Sequence, residues 1–300
     1  MTDVLSLLTI TIGWDPTIGD FGAFQLTWHG IFTAVGIAMG VYLAVLLGRR
    51  EGFTEDDGYS IALVAVPSGI IGARALWIIE NHERLDGWTD WFRVNEGGIS
   101  IYGAIIGGII GAVIYGLIRR LPVTRGLDAA VFGALLGMAV GRLGDLINGE
   151  HVGKATDLPW GVEYTHPESP AYQFGATHPA TTYEMLGDLL IMGVLAFVFM
   201  WFWKSRPGIT FFAGVVIYSA MRFGLSYLRI DSGINCPNNV GCPDHIIKDW
   251  MTFPQVVSTC TFAIGVLGLA WSFLRKPQET PEPAPAVEAG AQSQARPRQA

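Results

Sequence analysis

Charge is what this 300-residue sequence has least of: 19 Lys and Arg and 26 Asp and Glu make only 15% of the chain. An average soluble domain carries about a quarter, and the chain is half hydrophobic, so neither a soluble fold nor a disordered chain fits. The stretch before Trp28 has no Lys or Arg at all and therefore lacks the positive n-region of a cleaved signal peptide. Insertion is then directed by the first membrane helix. Internal repeats are absent. The net charge of −7 is unevenly spread, with acids and bases gathering in different loops; that speaks about topology and gives no hint of nucleic acid as a partner.

What is present is apolar length. Spanning hydrocarbon takes about 20 residues, and seven runs qualify: roughly 28–47, 59–79, 98–118, 127–147, 182–203, 209–228 and 253–274. The expectation is an all-α integral membrane protein of about seven transmembrane helices. Residues 1–275 form the membrane domain, and the Pro-, Ala-, Glu- and Gln-rich stretch 276–300 is a disordered tail. Bases follow the first, third, fifth and seventh spans (Arg49 and Arg50; Arg119, Arg120 and Arg125; Lys204 and Arg206; Arg275 and Lys276), whereas the long loop after the fourth carries only Lys154. The positive-inside rule then puts the N-terminus outside and the C-terminus in the cytoplasm.

Three arginines, Arg74, Arg142 and Arg222, fall inside spans, each in the later half of a helix running outward. An arginine at mid-membrane costs at least ~2.5–3.5 kcal/mol and usually faces a cavity or a partner. The same outer level collects His29, Ser100, Tyr102, Tyr183, Glu184 and Asp188 from the inward-running helices, and Asn148, Glu150 and His151 at the end of the fourth. Snorkelling to headgroups with structural ion pairs is the bland account. The sharper one is a phospholipid phosphate held bidentately by guanidiniums. The densest segment, Gly141-Arg142-Leu143-Gly144-Asp145-Leu146-Ile147-Asn148-Gly149-Glu150-His151-Val152-Gly153, brackets polar groups with glycines at a helix end and can offer backbone donors to an anion. Gly103, Gly107, Gly111 and Gly133, Gly137, Gly141 read as helix-packing positions.

That segment resembles the signature of the prolipoprotein diacylglyceryl transferase family, G-R-x-G-N-F-x-N-x-E-x-x-G, at Gly141, Arg142, Gly144, Asn148, Glu150 and Gly153. Gly97-Gly98-Ile99-Ser100, His178-Pro179 with Tyr183-Glu184, Arg222-Phe223 with Arg229-Ile230-Asp231, and Trp28 with Gly30 resemble further family segments, so the likeness runs to about Arg275. Where the family has Asn, Phe, His, Tyr and Glu, this chain has Asp145, Leu146, Tyr102, His29 and Ser226. The resemblance implies transfer of a diacylglyceryl group from phosphatidylglycerol to the lipobox cysteine of a prolipoprotein, at the outer face of a bacterial plasma membrane, without cofactor or metal. It implies catalytic roles for Arg142 and Arg222 and substrate contacts from Arg142, Arg74, Asp145, Asn148, Glu150 and Gly153. His29 and Tyr102 are the remaining catalytic candidates: imidazole titrates near neutrality and phenol near 10, so His29 is the better base. Asp145 stands three residues from Arg142, within pairing distance on a helix. The alternative is a divergent paralogue that binds or transfers phospholipid to another acceptor. A retinal protein is excluded, since the last span has no Lys. Cys236 and Cys242 are read as a disulfide closing the last outer loop; their spacing to His245 matches no common zinc pattern. Cys260 is read as a packing residue.

Overall fold

A computed structural model describes residues 9–22, 24–80, 87, 89, 91, 100–202, 205–230, 245–247 and 251–277. The Cys236–Cys242 loop, Gly97-Gly98-Ile99 and residues 278–300 lie outside the described residues. The described residues contain seven α-helices: α1 Trp28–Arg49, α2 Glu55–Glu80, α3 Ile101–Ile118, α4 Val123–Asn148, α5 Ala180–Phe202, α6 Ile209–Leu225 and α7 Phe253–Leu274. Five of them, α1, α2, α4, α5 and α7, are long and apolar enough to cross a membrane, while α3 and α6 are shorter apolar helices. Large aliphatic side chains such as Leu63, Ile71, Leu190 and Leu267 are exposed along these helices, as expected where lipid is the solvent. The chain is a membrane protein.

Helix packing is fixed by small residues. α1 lies against α4 in opposite direction, Gly36 facing Gly137 and Gly40 facing Gly133; a Cβ on Gly36 would stand 2.5 Å from the Gly137 carbonyl. Such contact is backbone on backbone, the way helices associate in lipid without a hydrophobic drive. α2 and α3 pair likewise through Gly72 and Gly103. α4 and α5 supply the side-chain core, Val131, Phe132 and Leu135 against Ile191 and Leu195.

At one end of the bundle, α4 pins its neighbours. The buried Asp128 carboxylate accepts hydrogen bonds from the backbone amides of Gly208 (2.6 Å) and Phe211 (2.8 Å), capping the start of α6, and the buried Arg125 pairs with Glu51 at 2.8 Å. The other end carries short strands. β1 (Ile10–Ile12) pairs in parallel with β4 (Val162–Tyr164), β2 (Thr17–Phe21) and β3 (Phe24–Thr27) form a hairpin leading into α1, and β5 (His245–Ile247) pairs with β6 (Met251–Thr252) ahead of α7. The loop from 149 to 179 folds over this end, held by Ser169 Oγ donating to Asn148 O (2.9 Å) and Tyr164 OH to Leu146 O (2.7 Å).

All seven expected spans start and stop within about four residues of the helices. The chain leaves α6 at Leu225, a little before the expected end, and residues 228–230 hydrogen-bond to the segment after α4, with Lys154 N donating to Leu228 O (2.8 Å) and Ile230 N to Val152 O (2.9 Å).

Candidate active site

The end of α4 builds the site. Gly149, in the left-handed conformation at φ 76°, stops the helix and turns the chain so that Glu150 and His151 fold back over it; His151 itself sits at φ 57°. Gly153 lets the strand-like exit pass against His178, whose carbonyl would be 2.1 Å from a Cβ there. One turn before the helix end, Arg142 and Asp145 share a face and pair, Nη1 to Oδ2, at 2.7 Å.

Two buried carboxylates organise the cations. Glu184, near the start of α5 and only 2% exposed, receives Arg142 Nη2 at 2.5 Å, Arg229 Nη1 at 2.6 Å and Arg222 Nη1 at 3.7 Å. Asp145 receives Arg142 on one oxygen and His29 Nδ1 on the other at 2.5 Å, with His151 Nε2 3.7 Å away. Arg142 thus bridges both carboxylates. Glu150 accepts from Asn148 Nδ2 at 2.9 Å and lies 3.6 Å from His29 Nδ1. Asp188, buried one turn after Glu184, lies next to this cluster on α5.

Two groups outside the spans have displaced proton affinities. His151 is pushed down to about 3, first by desolvation and then by the Arg229 guanidinium. The Tyr164 phenol is raised, mainly by burial and further by Asp145, so it stays a hydrogen-bond donor.

The residues expected from the sequence divide into two sets. His29, Arg142, Asp145, Asn148, Glu150 and Arg222 come together from α1, α4, its exit and α6. Arg74 and Tyr102 stand on the α2–α3 pair, flanking the Gly72–Gly103 crossing; Arg74 Nε donates to Trp91 O at 3.1 Å and its guanidinium lies 4.5 Å over the Trp77 ring. Two members of the cluster were not singled out from the sequence. Glu184 stands at the outer level and in a family-like segment, and Arg229 in another, neither with a role of its own. Arg229 lies beyond the end of α6, bridged to Gly153 of the α4 exit, and that pairing brings it to Glu184 beside Arg222.

Among the described residues, His29, Asp145 and Glu150 offer donor atoms within 4.8 Å of one another, a spacing open to a metal ion. Within this group His29 Nδ1 and Asp145 Oδ1 stand 2.5 Å apart, at hydrogen-bonding distance.

The prolipoprotein diacylglyceryl transferase family model matches residues 16–271. The chain belongs to this family. Relatives called phosphatidylglycerol–prolipoprotein diacylglyceryl transferase include one from Acaryochloris marina, 31% identical over 264 residues, which cover 87% of this chain and 92% of the relative. Another, from Clostridioides difficile, is 33% identical over 211 residues, 69% of this chain and 80% of the relative. The one from Gloeobacter violaceus is 30% identical over 261 residues, 85% and 92%. The family match spans every residue of the cluster, from His29 on α1 to Arg229 beyond α6.

Proposed function

We propose that this chain is a transferase of a bacterial plasma membrane, crossing it several times with its N-terminus outside. It moves the diacylglyceryl group of phosphatidylglycerol to the lipobox cysteine of a prolipoprotein and releases glycerol phosphate. Residues 1–275 are the catalytic membrane domain, and 276–300 a cytoplasmic tail. One observation carries this reading: Arg142, Arg222 and Arg229 converge on Glu184, and Arg142 also pairs with Asp145, so three guanidiniums gather at one level. Guanidiniums held in a fixed, poorly hydrated frame suit a phosphodiester, because oriented charges act most strongly there and a guanidinium binds phosphate oxygens in pairs.

Each group then has a task. Arg142 and Arg222 hold the phosphate and stabilise charge as it leaves; a guanidinium is always protonated and binds phosphate oxygens in pairs. His29 takes the thiol proton, since the thiolate is the nucleophile and a free thiol has a pKa near 8.5. Asn148, Glu150 and Gly153 shape the loop over the phosphate, while Arg74 and Tyr102 line the neighbouring α2–α3 side where the acyl chains or the peptide enter. Sulfur attacks the glyceryl carbon next to the phosphate, the carbon–oxygen bond breaks toward phosphate, and glycerol phosphate departs.

The test follows glycerol phosphate release from phosphatidylglycerol vesicles in the presence of a lipobox peptide. The parent should release it, and Arg142→Lys, which keeps the charge and loses the fork, should fall by about a hundred- to thousandfold. No release by the parent leaves the phospholipid-binding paralogue. Near-full rate in Arg142→Lys removes the clamp.

A further inference from the structure

Two positions at which this chain departs from the family pattern, residues 29 and 145, are 116 apart in sequence and meet at 2.5 Å. We infer that they form a dyad: Asp145 is a positioning residue that holds His29 through its Nδ1–H, leaving Nε2 of His29 as the atom that accepts the proton of the incoming thiol. The inference rests on the transferase reading and adds to it the atom that does the work and the residue that aims it.

Asp145 is 2% exposed and fixed from the far side by Arg142 Nη1 at 2.7 Å. An ionised carboxylate only accepts hydrogen bonds. The proton in the contact therefore belongs to His29 Nδ1, and the lone pair lies on Nε2 at the opposite edge of the ring. That ring is 41% exposed while Asp145 is shut in, so the free nitrogen is on the open side. Glu150 Oε2, 3.6 Å from the same Nδ1, is a second acceptor that discourages the other tautomer. The main chain of His29 is held as firmly, because Gly144 of α4 packs directly beneath its Cα. Nucleophile, base and orienting carboxylate in series is the arrangement that activates weak nucleophiles on unrelated folds. It also explains how a carboxylate is tolerated beside a phosphate site: both oxygens of Asp145 are taken, one by Arg142 and one by His29.

The step balances. The S–H proton passes to Nε2, and the sulfur electron pair forms the S–C bond. The C–O pair leaves on the phosphate oxygen, and Nε2 then returns the proton to that phosphate. Glycerol phosphate departs as a monoanion, and His29 is neutral again.

A double-mutant cycle tests the dyad, with kcat read from glycerol phosphate release. His29→Ala should lose about a hundredfold, within the range of general acid–base catalysis. Asp145→Asn should lose about tenfold when His29 is present and less than twofold on the His29→Ala background, because its effect passes through the imidazole. Any loss that arises from the Arg142 pair instead would appear on both backgrounds, and equal losses overturn the dyad. Histidine-selective 15N labelling of the full chain in detergent gives a second readout. His29 should show a protonated Nδ1 and a bare Nε2 in the parent, and mixed tautomers in Asp145→Asn. A bare Nδ1 in the parent overturns the proposal even if the enzyme is active. Inactivation by EDTA with recovery on adding Zn2+ would put a metal where the dyad puts a proton, and overturns it too. No release by the parent sinks the transferase reading and the base role together, which separates that failure from the failure of the dyad alone.

Discussion

Gly144→Ala adds one methyl group at the point where α4 touches α1, and its consequence can be worked out in advance. A Cβ there would lie 2.7 Å from His29 Cα, 2.8 Å from the Trp28 carbonyl and 3.0 Å from Phe32 Cβ, whereas ordinary contact begins at 3.4 Å. Two of these three obstacles are main-chain atoms, so no side chain can simply swing aside. The start of α1 must retreat by about 0.7 Å, a strain of the kind that overpacking makes cost about 1–3 kcal/mol. His29 sits on the displaced turn. Its 2.5 Å contact with Asp145 would lengthen to about 3.2 Å and lose direction. Misplacing a reacting group by about 1 Å can cost a hundredfold in rate, so Gly144→Ala should lose at least tenfold in kcat with KM for phosphatidylglycerol little changed. Gly141→Ala, one turn earlier, is the control: its Cβ would meet only Thr33 Oγ1 at 4.0 Å, and activity should stay within about twofold. Glycerol phosphate release at several lipid concentrations, with thermal unfolding in detergent to confirm that both variants fold, decides the matter. A Gly144→Ala enzyme with parental kcat would refute the claim that the α1–α4 contact sets the base.

Glu184→Gln should destabilise by about 3–5 kcal/mol, because it leaves buried guanidiniums without their counter-charge; thermal or denaturant unfolding in detergent measures it, and an unchanged midpoint would deny Glu184 its organising role. His151 has a folded-state pKa near 3 against 6.5 unfolded, so the unfolded chain binds the extra proton between those values. The contribution of His151 to stability is thus complete above pH 6.5 and is lost as pH falls below it; His151→Asn, which tolerates the positive φ, should show a shallower fall of melting temperature from pH 7 to pH 4 than the parent. Reporter fusions after Arg50 and Arg120 should report cytoplasm and fusions near Lys154 the outside, and the reverse pattern would invert the proposed orientation.

Apolar run length was enough to find all seven helices, because a membrane helix satisfies its own backbone and announces itself by composition alone. It ran slightly past the end of α6, where pairing of Leu228 and Ile230 with the chain after α4 overrides apolar continuity. The site was legible where cost made it so: Arg142 and Arg222 are expensive in a span and therefore informative. Arg229 escaped because, just past the helix, an arginine looks like an ordinary topology marker. Asp145 was legible as a partner of Arg142 three residues away, but only the three-dimensional meeting with His29 shows its second contact. Arg74 was as conspicuous in sequence as Arg142, yet its cation–π contact with Trp77 comes from its own helix, a partner that depth alone does not reveal.

The Asp128 cap has a consequence for how deep the chemistry happens. Asp128 ties the start of α6 to α4 at Gly208; fourteen residues on from Asp128 stands Arg142, and fourteen on from Gly208 stands Arg222, both at Glu184. Two parallel helices of equal count, pinned together at the base and meeting the same carboxylate at the top, work as a gauge of roughly 21 Å. The height of the guanidiniums above that base is then counted in residues, and it does not follow the thickness of the surrounding bilayer. Exposed side chains between the pins are free to vary with lipid, but one residue gained or lost in either rod would raise its arginine by about 1.5 Å and swing it about 100° around the axis, out of reach of its partner.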